Sequence, residues 1–377
     1  MTYVVRAGIA MRWRPRPAHT TLLGPSTAAT SYMIAVVTGS SGFIGSHLVD
    51  ALLARGATVR ALMREGSALD ALDPRVERST VDLLDSRSVR EAAAWDGATH
   101  VFHLAGVTKR RTLAQFRDGN VVPTANVLAA AVARGGSAPP RVVLVSSQAA
   151  AGPAVAAERP VREDDPPRPI EAYGQSKLEA EQATRLYEGS LPITIVRPAA
   201  VYGPRDRDFL RAFRLATRTV ALHAVPQGHS FSIVHVADAV DALLLAAQSP
   251  AAAGRTYFVA NESPITWREL YEEMARAAGV TPRLHLQIPL GAIVLAGMVG
   301  DVVSAFTGWQ SLANRNKTRL ARPKWWLCAA TRARDELGWF PTRPLQQGIR
   351  ETYLWYLQAG LMRARTPLGA AFPSKES

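Results

Sequence analysis

The sequence predicts an α/β fold: a doubly wound parallel sheet with a smaller, mostly helical C-terminal lobe. Three observations carry that expectation. Short strand-like runs recur at 33–38, 58–63, 76–81, 99–104, 141–146 and 193–197, and stretches with helical spacing lie between most of them, at 86–94, 119–134 and 172–188. Such alternation builds parallel strands joined by right-handed crossovers. The first run, M-I-A-V-V-T, is short, apolar and β-branched, as a strand buried on both faces is. Finally, 47% of the 377 residues are hydrophobic and 20% are charged, with 27 Gly and 25 Pro. A sizeable core can form, and global disorder and collagen-like chains are excluded.

Residues 1–32 stand apart. They hold Arg6, Arg12, Arg14 and Arg16, no acidic residue, and Pro15, Pro17 and Pro25, without sustained periodicity. A secretory signal needs an apolar run after its basic region, and here the order is reversed. The composition suits a transit peptide or, better, a disordered basic extension. Met33 directly precedes the first strand-like run, so translation could equally start there.

Met33–Thr38 (M-I-A-V-V-T) is the first strand. Gly39, Gly42 and Gly45 follow in T-G-S-S-G-F-I-G, then a helix over 46–55 with Leu48, Leu52 and Leu53 on one side and Gly56 as its C-cap. A glycine turn between a strand and a helix suits a dinucleotide pyrophosphate. Glycines let the backbone approach the phosphates, and the helix N-terminus offers free N–H groups and the positive dipole end. In such sheets ligands sit beyond the C-terminal strand ends.

At the end of the fifth strand come Ser146 and Ser147. After a Pro-rich loop, E-A-Y-G-Q-S-K places Tyr173 and Lys177 four residues apart, one turn apart on one helix face. A phenol titrating near 10 is a poor base at neutral pH, and a neighbouring ammonium together with an oxidised nicotinamide would favour its ionised form. Ser147 could hold a substrate oxygen while Tyr173 takes or gives its proton as hydride moves.

These residues together resemble the extended short-chain dehydrogenase/reductases, the NAD-dependent epimerase/dehydratase group, with the nearest look to the branch of 3β-hydroxysteroid dehydrogenases. The resemblance spans about 33–362. It implies a Rossmann sheet, NAD(P) as cofactor, and a Ser147–Tyr173–Lys177 triad supported by Asn120 in G-N-V-V-P-T. It places Gly39, Gly42, Phe43, Ile44 and Gly45 at the cofactor turn and Asp82 and Leu83 (V-D-L) beside the adenine. Leu104, Ala105 and Gly106 (H-L-A-G) line the cofactor, and Pro198 (R-P-A-A-V-Y-G-P) lies beside the nicotinamide, which Tyr173 and Lys177 also contact. V-H-V-A-D (234–238) and L-G-W-F-P (337–341) with an amphipathic 345–359 match later parts of the family pattern.

Departures narrow the chemistry. Ala151-Gly152 stands where many sugar epimerases carry Tyr-Gly, and counting back from Gly152 selects Ser147 over Ser146 as the reacting hydroxyl. Gln148 and Ala149 replace the Asp-Glu pair of nucleotide-sugar 4,6-dehydratases, so elimination lacks its acid and base. Where an acidic residue would bind the adenine ribose of NAD, the second strand ends in Met63 and Arg64. An arginine suits a 2′-phosphate, which leans toward NADP, and Glu65 keeps NAD open.

The division expected is 1–32 extension, 33–198 dinucleotide-binding domain, 199–362 substrate lobe with a strand near 256–259 returning to the sheet, and 363–377 flexible tail. Arg207, Arg211, Arg214 and Arg218 recur at helical spacing, as on a solvated face. The uncharged run 284–300 reads as a buried or pocket-lining helix suited to an apolar substrate, with peripheral membrane contact as the lesser reading. Trp325, Trp326, Trp339 and Trp355 read as core. The single cysteine, Cys328, excludes an internal disulfide and a multi-cysteine metal site, and no metal is expected. The net charge of +13 comes from scattered arginines, with only five lysines among the 44 basic residues, so no nucleic-acid partner is expected. The expectation is a cytoplasmic NAD(P)-dependent oxidoreductase interconverting a secondary alcohol, sterol-like or otherwise apolar, and its ketone. A nucleotide-sugar epimerase using the same triad is the alternative, and a non-catalytic dinucleotide sensor a third reading. A homodimer is compatible with all three.

Overall fold

The computed structural model describes residues 33–69, 72–218, 220–223, 228–280, 284–287 and 322–364. The extension 1–32, most of the apolar run 284–300 and nearly all of the tail 363–377 lie outside the described residues.

In chain order the sheet-forming half comprises β1 (Ile34–Thr38), α1 (Phe43–Ala54), β2 (Thr58–Met63), β3 (Glu77–Thr80), α2 (Ser86–Glu91), β4 (His100–His103), α3 (Leu113–Gly135), β5 (Arg141–Val145), α4 (Gln148–Ala151), α5 (Ala172–Arg185) and β6 (Ile193–Pro198). There follow β7 (Ala200–Tyr202), α6 (Leu210–Ala216), β8 (Val220–His223), β9 (Ser230–Phe231), β10 (Ile233–His235), α7 (Val236–Gln248), β11 (Thr256–Val259), β12 (Ile265–Thr266), α8 (Trp267–Ala277), β13 (Leu284–Gln287) and β14 (Trp325–Trp326). Helices Thr331–Leu337 and Leu345–Gln358 end the described chain.

Among the described residues seven parallel strands form the central sheet, in the order β11-β6-β5-β4-β1-β2-β3. Successive residues of a strand enter different cores. Ala35, Val37, Phe102 and Val143 pack on the α1 and α7 side, whereas Val36, Val101 and Val142 pack on the α2 and α3 side. Except at the edge strand β3, which is polar and mostly exposed, both faces are buried, which is why the strand sequences are largely apolar without alternation. A third core, around Phe213, Leu270, Ile349 and Tyr356, joins α6, α8 and Leu345–Gln358. Strand β11 returns to the sheet beside β6. The order turns back at β1, whose neighbours are β2 and β4, so a crevice opens beyond the ends of β1 and β4.

Several element boundaries differ from the sequence expectation. Helix α1 starts at Phe43, because Gly42 already serves as its N-cap. Helix α3 starts at Leu113, six residues before 119, since the Thr112 side chain accepts a bond from the Gln115 N–H and caps an earlier first turn. The helix expected over 86–94 breaks at Ala92, and a 3₁₀ turn at Ala93–Trp95 buries Trp95, whose indole donates to the Val89 carbonyl at 2.6 Å. Leu284–Gln287, read as the start of a helix, is a strand paired in parallel with β8, consistent with the two-residue alternation of L-H-L-Q. Arg207, Arg211, Arg214 and Arg218 are exposed, and Arg214 also clips the Leu361 carbonyl at 3.0 Å.

Candidate active site

The crevice is lined first by the turn after β1. Gly39 has φ +69°, and a β-carbon there would lie 2.8 Å from the Ala105 nitrogen, so only glycine lets this turn meet the loop after β4. Gly45 lies inside α1, and a β-carbon there would sit 2.0 Å from the Gly39 carbonyl oxygen. Gly42 is exposed, with ordinary φ, and has only the Gly39 oxygen within reach, at 3.1 Å. No side chain caps the N-terminus of α1, and the Ser40 hydroxyl is buried without a hydrogen-bond partner among the described residues. Backbone N–H groups free at a helix N-terminus, reached over glycine, fit a pyrophosphate. Phe43 and Ile44 are half-buried on the first turn of α1, and Ile44 packs on the core.

The other dinucleotide-binding candidates follow along the sheet edge. Arg64 is exposed beyond β2, in a turn closed by the Ser67 hydroxyl donating to the Arg64 carbonyl at 2.8 Å. Asp82 is exposed beyond β3, where its carboxylate accepts from the Leu84 N–H at 2.9 Å, and Leu83 is buried. Leu104, Ala105 and Gly106 form the loop after β4, and Pro198 ends β6.

Helix α5 brings the reactive groups together. Ser147 caps the short α4, its oxygen accepting from the Ala149 N–H at 3.2 Å, and its side chain lies close enough to the Tyr173 phenol to lower its pKa. Gly174 makes that meeting possible: a β-carbon there would lie 2.3 Å from the Ala149 carbonyl oxygen, so a larger residue would push α5 off α4. Burial pushes the Tyr173 phenol up to about 12, against the Ser147 side chain, which favours ionisation. One turn on, the buried Lys177 ammonium donates to the Val145 carbonyl at 2.7 Å, and desolvation brings it down to about 8.

Asn120 is buried and fully engaged. Its Oδ1 accepts from the Val107 N–H at 2.7 Å, and its Nδ2 donates to the Val107 carbonyl at 3.2 Å and to the Ser176 hydroxyl at 2.8 Å. It belongs to a run of bonds that the sequence reading did not anticipate. Ser176 donates to the Tyr173 carbonyl at 2.7 Å, and Thr124 donates to the Asn120 carbonyl at 2.7 Å. Carbonyls only accept, so the directions are fixed. Thr124 must accept from His103 Nε2–H at 3.0 Å, which leaves His103 Nδ1 to accept from the Thr38 hydroxyl at 2.8 Å. Thr38 in turn accepts from the Ala105 N–H at 3.1 Å. His103 therefore holds one neutral tautomer. Burial, and then the Lys177 charge, bring it down to about 3.

Below the reactive groups, Glu181 and Arg197 form a buried pair, with Nε to Oε1 at 2.9 Å and Nη2 to Oε2 at 2.6 Å, and Ser146 donates to the same carboxylate. Ser146 is thus committed to Glu181, and Ser147 faces the phenol. The sequence reading also missed Glu171, the N-cap of α5. The signal available for these residues was a buried polar type inside an apolar strand or on the inner face of a helix.

A family model described as the NAD dependent epimerase/dehydratase family matches residues 35–260. A "Ceramide reductase" of Caulobacter vibrioides is 32% identical over 333 residues, covering 87% of this chain and 95% of that protein. A "4-hydroxy-2-methyl-3-oxo-4-farnesyl-3,4-dihydroquinoline-1-oxide ketoreductase" of Stigmatella aurantiaca is 30% identical over 328 residues, covering 83% and 93%. Among solved structures, the Thermus thermophilus UDP-glucose 4-epimerase complex with NAD has a TM-score of 0.68 at 25% identity, covering 86% of this chain and 99% of that one.

The glycine turn separates folding from binding. Gly45→Val should prevent folding, because its side chain has no space. Gly42→Val should fold, since that position opens outward, yet lose dinucleotide binding, because the side chain occupies the approach of the pyrophosphate. Calorimetry with NAD and NADP on the folded Gly42→Val chain checks this, and unchanged affinity would contradict the assignment.

Proposed function

The chain belongs to the NAD dependent epimerase/dehydratase family, and from that membership we propose that it interconverts an apolar secondary alcohol and its ketone at Ser147, Tyr173 and Lys177. The observation that carries this reading is the placement of Tyr173 on α5 one turn before the buried Lys177 ammonium, which the Val145 carbonyl holds, with Ser147 at the cap of α4. The names of the Caulobacter and Stigmatella relatives, a reductase of a ceramide and a ketoreductase of a farnesyl-bearing ring, support reduction of an apolar ketone. Residues 33–198 would serve the dinucleotide and 199–362 the substrate.

A bound nicotinamide would supply hydride to a carbonyl carbon in reduction or accept it from a carbinol in oxidation. The chain's own groups handle the oxygen. Ser147 donates to the substrate oxygen and fixes its position between hydroxyl and phenol. In reduction Tyr173 gives its proton to that oxygen, and the resulting phenolate regains one from solvent; in oxidation the same proton moves the other way. Lys177, held by the Val145 carbonyl, sets a positive charge that favours the phenolate as it forms. The Thr38–His103–Thr124–Asn120–Ser176 bonds hold the turn after β4 and the first turn of α5 in one frame.

The structure of an epimerase with NAD among the similar proteins keeps epimerisation as the second reading. An epimerase retains its cofactor through the cycle, so release of free reduced dinucleotide on mixing with NAD(P) and a panel of apolar alcohols supports the dehydrogenase.

Two sets of variants test the assignment. Tyr173→Phe keeps the ring and removes the transferable proton, so turnover should fall by roughly two to four orders of magnitude with dinucleotide affinity retained. Lys177→Met should lose both turnover and dinucleotide affinity, and Ser147→Ala should lie between the two in turnover. Steady-state kinetics with calorimetry reads the ordering, and near-normal turnover in Tyr173→Phe refutes the mechanism. For the cofactor, we favour NADP through Arg64. Arg64→Ala should weaken NADP by roughly tenfold, the scale of a charge-assisted bond, and leave NAD unchanged. Equal loss for both would make Arg64 structural.

A further inference from the structure

We propose that Glu171 is a positioning residue for Tyr173: its buried carboxylate fixes the first turn of α5 and holds, with no counter-ion among the described residues, a charge at the backbone of the residue that carries the phenol. This deepens the reading of Tyr173 as the proton carrier and rests on it.

Glu171 is 8% exposed. Its Oε2 accepts from the Tyr173 N–H at 2.6 Å, and its Oε1 accepts from the Gly174 N–H. The carboxylate is therefore tied directly to the backbone of the residue that carries the phenol. A helix N-cap is ordinarily a short Ser, Thr, Asp or Asn, and a neutral hydroxyl serves as well as a charge. Capping alone does not call for a buried glutamate, whose desolvation is costly without a counter-ion. No lysine or arginine pairs with Glu171 among the described residues; the backbone N–H groups of α5 and the positive end of its dipole stabilise it. Desolvation raises the carboxyl while the Gly174 and Tyr173 N–H bonds lower it; ionised, it holds a negative charge two residues from the phenol.

The surroundings of Tyr173 leave that charge little competition. From α4 the phenol meets the Ser147 hydroxyl, and from α3 the Phe116 ring, whose centroid is 6.0 Å from that of Tyr173. On its own helix Glu171 lies two residues before it and Lys177 one turn after it, the Lys177 ammonium bonded to the Val145 carbonyl and near Glu181. Burial and the Glu171 charge act on the phenol in the same direction, toward the protonated form. The equilibrium of the overall reaction is untouched. What changes is the pH range over which Tyr173 can donate: ketone reduction persists into alkaline solution, and alcohol oxidation starts later.

The test uses the full chain carrying ¹³Cζ-labelled tyrosine, with the Tyr173 signal assigned by its loss in Tyr173→Phe. Glu171→Ser keeps a capping oxygen without charge, Glu171→Gln is the near-isosteric neutral variant, and Glu171→Asp keeps the charge. In both neutral variants the ionisation midpoint of Tyr173 should fall by about one pH unit, and in Glu171→Asp it should stay with the wild type. In parallel, the alkaline limb of reduction of a long-chain methyl ketone by reduced dinucleotide should move down by the same amount. A midpoint unchanged in folded Glu171→Ser and Glu171→Gln overturns the proposal and leaves Glu171 as a cap only. Failure of the parent reading looks different: Tyr173→Phe then turns over normally, while the phenol midpoint still moves with Glu171.

Discussion

Helix α5 buries a polar face, and its buried Ser176, Lys177 and Glu181 each meet a partner on a different element. Tyr173 meets Ser147 at the cap of α4, Ser176 accepts from Asn120 on α3, Lys177 reaches the Val145 carbonyl at the end of β5, and Glu181 is gripped by Arg197 of β6 and by Ser146. Unmet, any of these groups would cost on the order of 1–3 kcal/mol, and more where charged. Removing one member of a buried ion pair such as Glu181–Arg197 costs about 3–5 kcal/mol, whereas replacing both by apolar residues can be neutral. The pair is thus weak evidence for stability. Its bonds tie α5 to β6, and through Ser146 to the end of β5.

From that seating the electrostatics follow. Water is excluded around α5, so Lys177 comes down to about 8 and His103 to about 3. A neutral His103 can then accept at one nitrogen and donate at the other, which continues the hydrogen bonds from Thr38, at the end of β1, to the Tyr173 carbonyl. The turn beside the glycines and the first turn of α5 are coupled by directional bonds. The glycines contribute by absence: at Gly45 and Gly174 a single β-carbon would collide with backbone.

Much of this was readable beforehand, for physical reasons. β2 runs from Thr58 to Met63, as its apolar run implied, because a strand buried on both faces marks its own limits. The glycine turn and the Tyr173–Lys177 spacing are local patterns, and local patterns survive in one dimension. The sequence reading fell short where partners are distant. Thr38 and His103 are 65 residues apart, and Asn120 and Ser176 are 56 apart, so nothing in either neighbourhood announces the bond. Strands of two to four residues such as β9, β12 and β13 carry too few side chains to show a period. The early start of α3 was hidden by the polar K-R-R-T before it, although Thr112 was itself the cap. Glu171 went unnoticed because a glutamate two residues ahead of a tyrosine looks like surface until its burial is seen.

In the function proposed for it, this frame passes hydride between a dinucleotide and a carbinol carbon while Tyr173 handles the proton. Its most direct test follows the hydride itself. The full chain is incubated with reduced NADP or NAD deuterated at the transferring carbon and with a panel of apolar ketones, and the products are read by mass spectrometry and NMR. The account predicts deuterium on the carbinol carbon of an alcohol product, with one equivalent of oxidised dinucleotide released. Dinucleotide that binds by calorimetry yet transfers no deuterium to any ketone of the panel would contradict it.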